Sequence, residues 1–143
     1  MAFIFNDPNS AGPFSSFQIK DIVCKAVKLT AANFTTAGVN ALVAALPADA
    51  TILGFDTWVK TALDNTATLP TLSIGTVSAG TQFASAVAIT NTVGTNAKLS
   101  PVTGIFQAYN PPYTGDIQIW VRGACSTANP VTAEVYLLIY YVR

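Results

Sequence analysis

The segment Gly115-Asp116-Ile117-Gln118-Ile119-Trp120-Val121-Arg122-Gly123 alternates without a break, with Ile117, Ile119 and Val121 on one side and Asp116, Gln118, Trp120 and Arg122 on the other. A period of two is that of a β-strand with one buried and one open face. The closing stretch, Val131 to Val142, continues the theme with a difference. Val131, Ala133, Val135, Leu137, Ile139 and Tyr141 make one side, and after Thr132 and Glu134 the other side, Tyr136, Leu138, Tyr140 and Val142, is apolar too. A strand apolar on both faces is central in a sandwich or covered by another subunit.

Working outward, the chain from Asp21 reads as short β-branched and aromatic runs separated by turn formers. Ile22 to Leu29 is the first run. Val39 to Leu46 fits either a helical face (Val39, Leu42, Val43, Leu46) or a buried strand; Pro47 and the lack of charge favour the strand. In Thr51 to Leu63, the residues Leu53, Phe55, Thr57, Val59, Thr61 and Leu63 share one parity, and Asp56, Trp58 and Lys60 the other, before a turn at Asp64-Asn65-Thr66. Leu69 to Thr76 is a short strand and Ser78-Ala79-Gly80 a turn. Phe83, Ser85, Val87 and Ile89 alternate with Ala84, Ala86 and Ala88, a face of small residues. Asn91 to Ser100 reads as a polar loop. Val102 to Tyr109 is apolar again and is broken by Pro111-Pro112, neither of which can donate to a ladder. About eight strands with no convincing helix predict an all-β chain, an antiparallel β-sandwich of jelly-roll type over residues 21–143.

Residues 1–20 differ. Phe3, Phe5, Phe14 and Phe17 are set among Asn6, Asp7, Pro8, Asn9, Ser10, Gly12, Pro13, Ser15 and Ser16, with no sustained period. Such a segment forms no core of its own, so its phenylalanines need a surface, on their own domain or on a neighbouring subunit. An extended N-terminal arm is expected. It lacks a basic n-region and its apolar run stops at Phe5, so it does not read as a secretory signal.

Composition removes several functions. Among 143 residues, 51% are hydrophobic and 10% charged, with seven basic and seven acidic residues and no histidine. Dispersed, balanced charge gives no footprint for a phosphate backbone, so no nucleic-acid partner is expected. No run approaches the roughly 18–20 apolar residues of a membrane span. A typical domain carries about 25% charged residues; a chain with far fewer is expected to live packed against something, itself included. Cys24 and Cys125 are too few and too far apart for a metal knuckle, and they read as small buried thiols on strands in preference to a disulfide.

Nucleophilic catalysis requires a base, and without histidine only Lys20, Lys25, Lys28, Lys60 and Lys98 remain, with no Ser-x-x-Lys or Gly-x-Ser-x-Gly pattern. Asp56 and Asp64 could pair as carboxylates for glycoside hydrolysis, but their positions read as solvated surface charges. Phosphate-cradling glycine loops and Asp-x-Asp calcium loops are absent from the sequence. A non-enzymatic protein without cofactor or metal is expected. Trp58 and Trp120 fall on the polar parity of their strands, and Tyr109, Tyr113, Tyr136 and Tyr140 add flat amphipathic surface. Such aromatics pack under loops, anchor protein interfaces or stack on sugars.

Leu46-Pro47-Ala48-Asp49-Ala50-Thr51-Ile52-Leu53-Gly54, Thr71-Leu72-Ser73-Ile74-Gly75-Thr76 and the tyrosine-rich end Val135 to Arg143 resemble small virion proteins of tailed bacteriophages. The resemblance covers residues 40–76 well and 130–143 loosely, and it does not include the phenylalanine segment. It implies a capsid decoration (cement) protein, often a trimer of sandwiches, and supplies no catalytic residues. The expected partners are the major capsid protein and further copies of the chain as a homotrimer, in a virion assembled in the host cytoplasm. The expected protein–protein interface comprises Phe3, Phe5, Phe14, Phe17, Trp58, Trp120, Tyr136, Leu138 and Tyr140. The alternative is a tail or fibre module that binds a host receptor or glycan through Trp58, Trp120 and Tyr113.

Overall fold

The computed structural model describes residues 22–64, 68–99 and 115–142. They form β1 (Ile22–Thr30), a single 3-10 turn at Ala31–Asn33, β2 (Phe34–Thr35), β3 (Val39–Leu46), β4 (Thr51–Thr61), β5 (Thr71–Gly75), β6 (Ala84–Ala88), β7 (Asn96–Leu99), β8 (Ile117–Ala124) and β9 (Glu134–Val142). Two sheets result. One has the order β1-β9-β4-β7; in the other, β8 lies between β3 and β5, β6 flanks β5, and the two-residue β2 adds a parallel contact to β8.

The pairings β1 with β9, β3 with β8, β4 with β7 and β5 with β6 are all antiparallel. They are what results when the chain doubles back about the β5–β6 connection and the resulting two-stranded ribbon rolls up. Rolling then places β4 beside β9 and β5 beside β8. This is the jelly roll expected from the sequence, with eight principal strands plus β2 among the described residues.

Alternation builds the core between the sheets. From the first sheet come Leu29, Ile52, Phe55, Val59, Leu99, Val135, Leu137 and Ile139; from the second come Ala44, Leu46, Leu72, Ile74, Ile117, Ile119 and Val121, all buried. Phe34 of β2 and, from the connections, Leu63, Phe83 and Ile89 close it. Phe55 and Phe83 meet across the layers with ring centroids 5.0 Å apart and planes tilted by 42°, a favoured aromatic geometry. The ambiguous Val39–Leu46 run is strand β3, and β9 is central in its sheet, between β1 and β4, with only the side that carries Val135, Leu137 and Ile139 buried in the core.

Several expectations are corrected. Register shifts between Ile52 and Gly54 and between Val59 and Thr61 insert extra residues into β4. The first turns Ile52 inward and leaves Leu53, expected inside, 43% exposed, because a bulge reverses the parity of what lies beyond it. Bulging between Leu72 and Ile74, with Ala86 at φ 46°, likewise breaks the expected alanine face: Phe83 and Ala84 are both buried while Ala86 and Ala88 face out. The loop expected over Asn91–Ser100 gives its residues Asn96–Leu99 to β7, a short edge strand whose ladder to β4 needs no apolar pattern. Cys24 is exposed; Cys125 is buried, and both thiols are free. The expectations for residues 1–20, Val102–Tyr109, Pro111-Pro112 and Tyr113 lie outside the described residues.

Side-chain clips lock one end of the sandwich. Asp64 Oδ1 accepts the backbone N–H groups of Val131 and Thr132, each at 2.8 Å. Asn91 accepts from Leu63 N at 2.7 Å and donates to Leu63 O at 2.9 Å, and Asn129 Oδ1 accepts Thr36 N at 2.9 Å. Asp64 is therefore a loop clip and not the solvated charge expected from its turn; the Thr132 amide first, then that of Val131, hold its carboxyl below the usual carboxylate range. On the open side, Lys25 on edge strand β1 points toward the core layer and donates to Ala45 O of β3 at 3.0 Å. An inward lysine of this kind guards edges against strand addition.

Two glycines separate packing from mere permissiveness. A Cβ on Gly123, on the core side of β8, would collide with Asn33 O and stand 2.7 Å from Phe34 Cδ1, whereas one on Gly54 would meet nothing within 4 Å. Gly123→Val is expected to lower stability by about 3 kcal/mol or more, the upper end of overpacking costs, while Gly54→Ala changes it by less than about 0.5 kcal/mol. Urea denaturation of the two variants checks the contrast.

Candidate interaction surface

The outer face of the first sheet gathers residues that are far apart in sequence. On β9, Tyr136, Leu138, Tyr140 and Val142 point away from the core and are half-buried. The register sets Trp58 of β4 opposite Tyr136, Asp56 opposite Leu138 and Gly54 opposite Tyr140. On the other flank, β1 sets Lys28 opposite Tyr136, Ala26 opposite Leu138, Cys24 opposite Tyr140 and Ile22 opposite Val142. The result is an apolar and aromatic band across three strands, running from Trp58, 38% exposed, to Ile22, 67% exposed. Trp58 and Tyr136 touch as tilted rings with centroids 5.9 Å apart. Gly54, with no side chain, leaves the face of Tyr140 open on that side.

Charge is confined to one end and one flank of the band. Glu134 Oε1 accepts from Tyr136 OH at 2.7 Å, Lys60 Nζ at 3.1 Å and Lys28 Nζ at 3.3 Å, so that one carboxylate joins β1, β9 and β4. The Tyr136 hydroxyl first, then the Lys60 ammonium, hold Glu134 down at about 2, and the same contact with Glu134 raises Tyr136 and Lys60. Asp56 lies on the flank, opposite Lys98 of β7 in the register. Burial on the face, then neighbouring Cys24 and Asp56, push the Tyr140 phenol up.

The acid side of the stability curve should carry this signature. Glu134 and Asp64 both have lowered native pKa values, so their contribution is complete above the unfolded carboxylate values and is lost as pH falls; for Glu134 the window runs from about 4.5 down to about 2. Glu134→Gln is expected to lower the thermal midpoint at pH 7 and to flatten its fall between those pH values. Calorimetry across the range checks this, and an unchanged acid limb in the variant would contradict it.

Of the nine residues expected at an interface, the fold brings together Trp58, Tyr136, Leu138 and Tyr140. Trp120 is elsewhere, on the outer face of the second sheet, where it lies between Leu42, 50% exposed, and Gly75 in the register and donates from Nε1 to Gln118 Oε1 at 3.2 Å. The two indoles thus lie on opposite sides of the sandwich and cannot stack on one small ligand. Phe3, Phe5, Phe14 and Phe17 lie outside the described residues. Sequence reading missed Ile22, Cys24, Ala26 and Val142 as members of the band. In β1 both parities are largely apolar and carry one lysine each, Lys25 and Lys28, so alternation alone assigns neither side. Among the described residues, no three of His, Cys, Asp and Glu gather where a metal ion could be held.

The geometry defines a two-sheet jelly-roll sandwich with an aromatic band on one outer face that no other described residue covers. No family model matches the sequence, and no curated protein matches it. In three dimensions the chain is similar to a chain of the capsid asymmetric unit of cyanophage Pam1. The TM-score is 0.59 at 21% sequence identity, and the match covers 96% of each chain. At that identity the likeness is one of fold, and it runs from end to end of both chains.

Proposed function

We propose that this chain is a non-enzymatic structural protein of a bacteriophage virion, a capsid decoration protein that binds and stabilises a shell of major capsid protein. The observation that carries the reading is the end-to-end likeness to a chain of a phage capsid asymmetric unit. The aromatic band and the low charge support it, since both suit a protein held by apolar contacts. An interface of roughly 1,600 Å², at about 25 cal/mol per Å², gives a hydrophobic driving force that so few surface charges cannot supply. The chain acts as a homo-oligomer, and residues 1–20 serve as its attachment arm to the shell.

Copy number tests the reading. Quantitative gel analysis or electron microscopy of particles should find many copies distributed over the shell. A few copies confined to the tail would overturn it in favour of a receptor-binding module.

A further inference from the structure

We infer that the end of the sandwich formed by the connections 31–38, 62–70, 89–95 and 125–133 is a second docking surface, one that seats on an uncharged, apolar patch of the capsid shell. The inference rests on the virion reading and adds a contact made by the sandwich itself. Register places the four connections at one end. Thr30 and Thr61 both stand opposite Glu134 in the first sheet, and Thr71 stands opposite both Ala124 and Ala88 in the second. Ile22 and Ile117 mark the other end, opposite Val142 and Leu46. Across the four connections Asp64 is the single charged residue, although 10% of the chain is charged, and its carboxylate accepts the amides of Val131 and Thr132. Surfaces that stay in water are normally laced with charges of both signs. Three of these connections instead present an exposed aliphatic side chain: Leu69 at 57%, Val93 at 61% and Val131 at 77% exposure.

The backbone around each of these tips is fixed. On the two sides of Leu69, Thr68 N donates to Ser126 Oγ at 3.1 Å and Pro70 O accepts from Ile89 N at 2.8 Å. On the two sides of Val93, Thr92 O accepts from Thr95 Oγ1 at 2.6 Å and Gly94 N donates to Val59 O at 2.8 Å. Val131 is held by its own amide on Asp64. The same bonds tie 62–70 to 125–133, and Asn91 ties 62–70 to 89–95 through Leu63, so the three tips belong to one connected cluster. Side chains held in place in advance lose little freedom on binding. Lys28, Lys60 and Glu134, joined to one another, stand where β1, β4 and β9 reach this end, and an apolar centre with a polar rim is the anatomy of a protein interface. Charge and size select the occupant. A centre without charge fits an uncharged apolar surface, because it would leave an acidic or basic one desolvated and unpaired. Four strands about 4.8 Å apart and two sheets about 10 Å apart give an end on the order of 400 Å², half the roughly 800 Å² per partner of a stable pairwise complex. So small a patch does not hold two free copies together. It suffices where a homo-oligomer presents several such ends at once to a repeating shell, since multivalency raises affinity without new contacts.

Leu69→Lys, Val93→Lys and Val131→Lys, combined in the full chain, put charge on the three tips, and the exposure of those positions lets the fold keep its thermal midpoint. On particles stripped of the native protein, the apparent affinity of this variant should fall about a hundredfold or more, since each aliphatic tip buried on binding is worth about tenfold or more. Val77→Lys, at an exposed valine beyond the Gly75 end of β5 and so at the opposite end of the sandwich, should leave the affinity unchanged. In parallel, carbene labelling of the wild-type protein should mark Leu69, Val93 and Val131 strongly in solution and several-fold less on particles. Equal occupancy by the folded triple variant and the wild type would overturn the inference, and so would an equal loss in Val77→Lys or undiminished labelling of the tips in the bound protein. A triple variant that fails to fold leaves the decision to the labelling. Wild-type protein that occupies no particles would overturn the virion reading and the inference with it, whereas wild-type occupancy with indifferent tips overturns the inference alone, so the two failures are distinguishable.

Discussion

Removal of residues 1–18 is expected to leave a folded jelly roll that no longer occupies capsids. The fold should survive because, among the described residues, every buried residue of the core belongs to Leu29 or beyond, and the pairings that define the roll begin at Ile22. Occupancy should fall because four phenylalanines leave with the segment, and each fully buried aromatic is worth about 1.5–3 kcal/mol of transfer free energy. Losing several of them from one contact removes more than the roughly 1.4 kcal/mol that corresponds to a factor of ten in affinity, several times over. Circular dichroism of the truncated protein, together with its binding to particles stripped of the native protein, measures both halves. Full occupancy by a folded truncated chain would show that the shell is held by the sandwich itself.

How far the sequence reveals this arrangement depends on which physical signal each element carries. β8 and β9 are legible because Ile117, Ile119 and Val121, and Val135, Leu137 and Ile139, alternate without interruption and are all buried. β4 is legible as a strand, but its two bulges are not. A bulge changes the side to which Leu53 points without changing the composition around it, and it is stabilised by the ladder to β9, which lies far along the chain. β7 is hidden for the opposite reason. Asn96-Ala97-Lys98-Leu99 has no apolar period, and it is a strand only because β4 presents an edge to it. The site follows the same rule. Trp58, Tyr136, Leu138 and Tyr140 are recognisable one by one as aromatic or apolar residues on suspicious parities. That they share a face while Trp120 does not is set by the roll, which puts β4 beside β9 and sends β8 to the other sheet. Glu134 could be seen only as an isolated acid at the start of the last strand; its hub with Lys28, Lys60 and Tyr136 requires three strands to be adjacent.

Phe83→Ala should cost about 3–5 kcal/mol, the range for truncating a large buried aromatic, out of a total stability on the order of 5–15 kcal/mol. Phe83 precedes β6 and is only 1% exposed. Its backbone N–H donates to Ile74 O at 3.0 Å, which fixes the connection that carries it, and its ring lies on Phe55 of the opposite sheet. It therefore joins the two layers at the place where the bulged β5–β6 pairing is least regular, and the rigid sheets on either side cannot close over the space its ring leaves. Phe55→Ala removes the other half of the same contact. Because the two rings touch, the double variant should lose less than the sum of the single ones, by about 0.5–1.5 kcal/mol for an aromatic pair. A double-mutant cycle in urea at constant m-value measures that coupling. Strict additivity would mean that Phe55 and Phe83 fill the core independently, and that their ring-on-ring contact adds nothing beyond the area each of them buries.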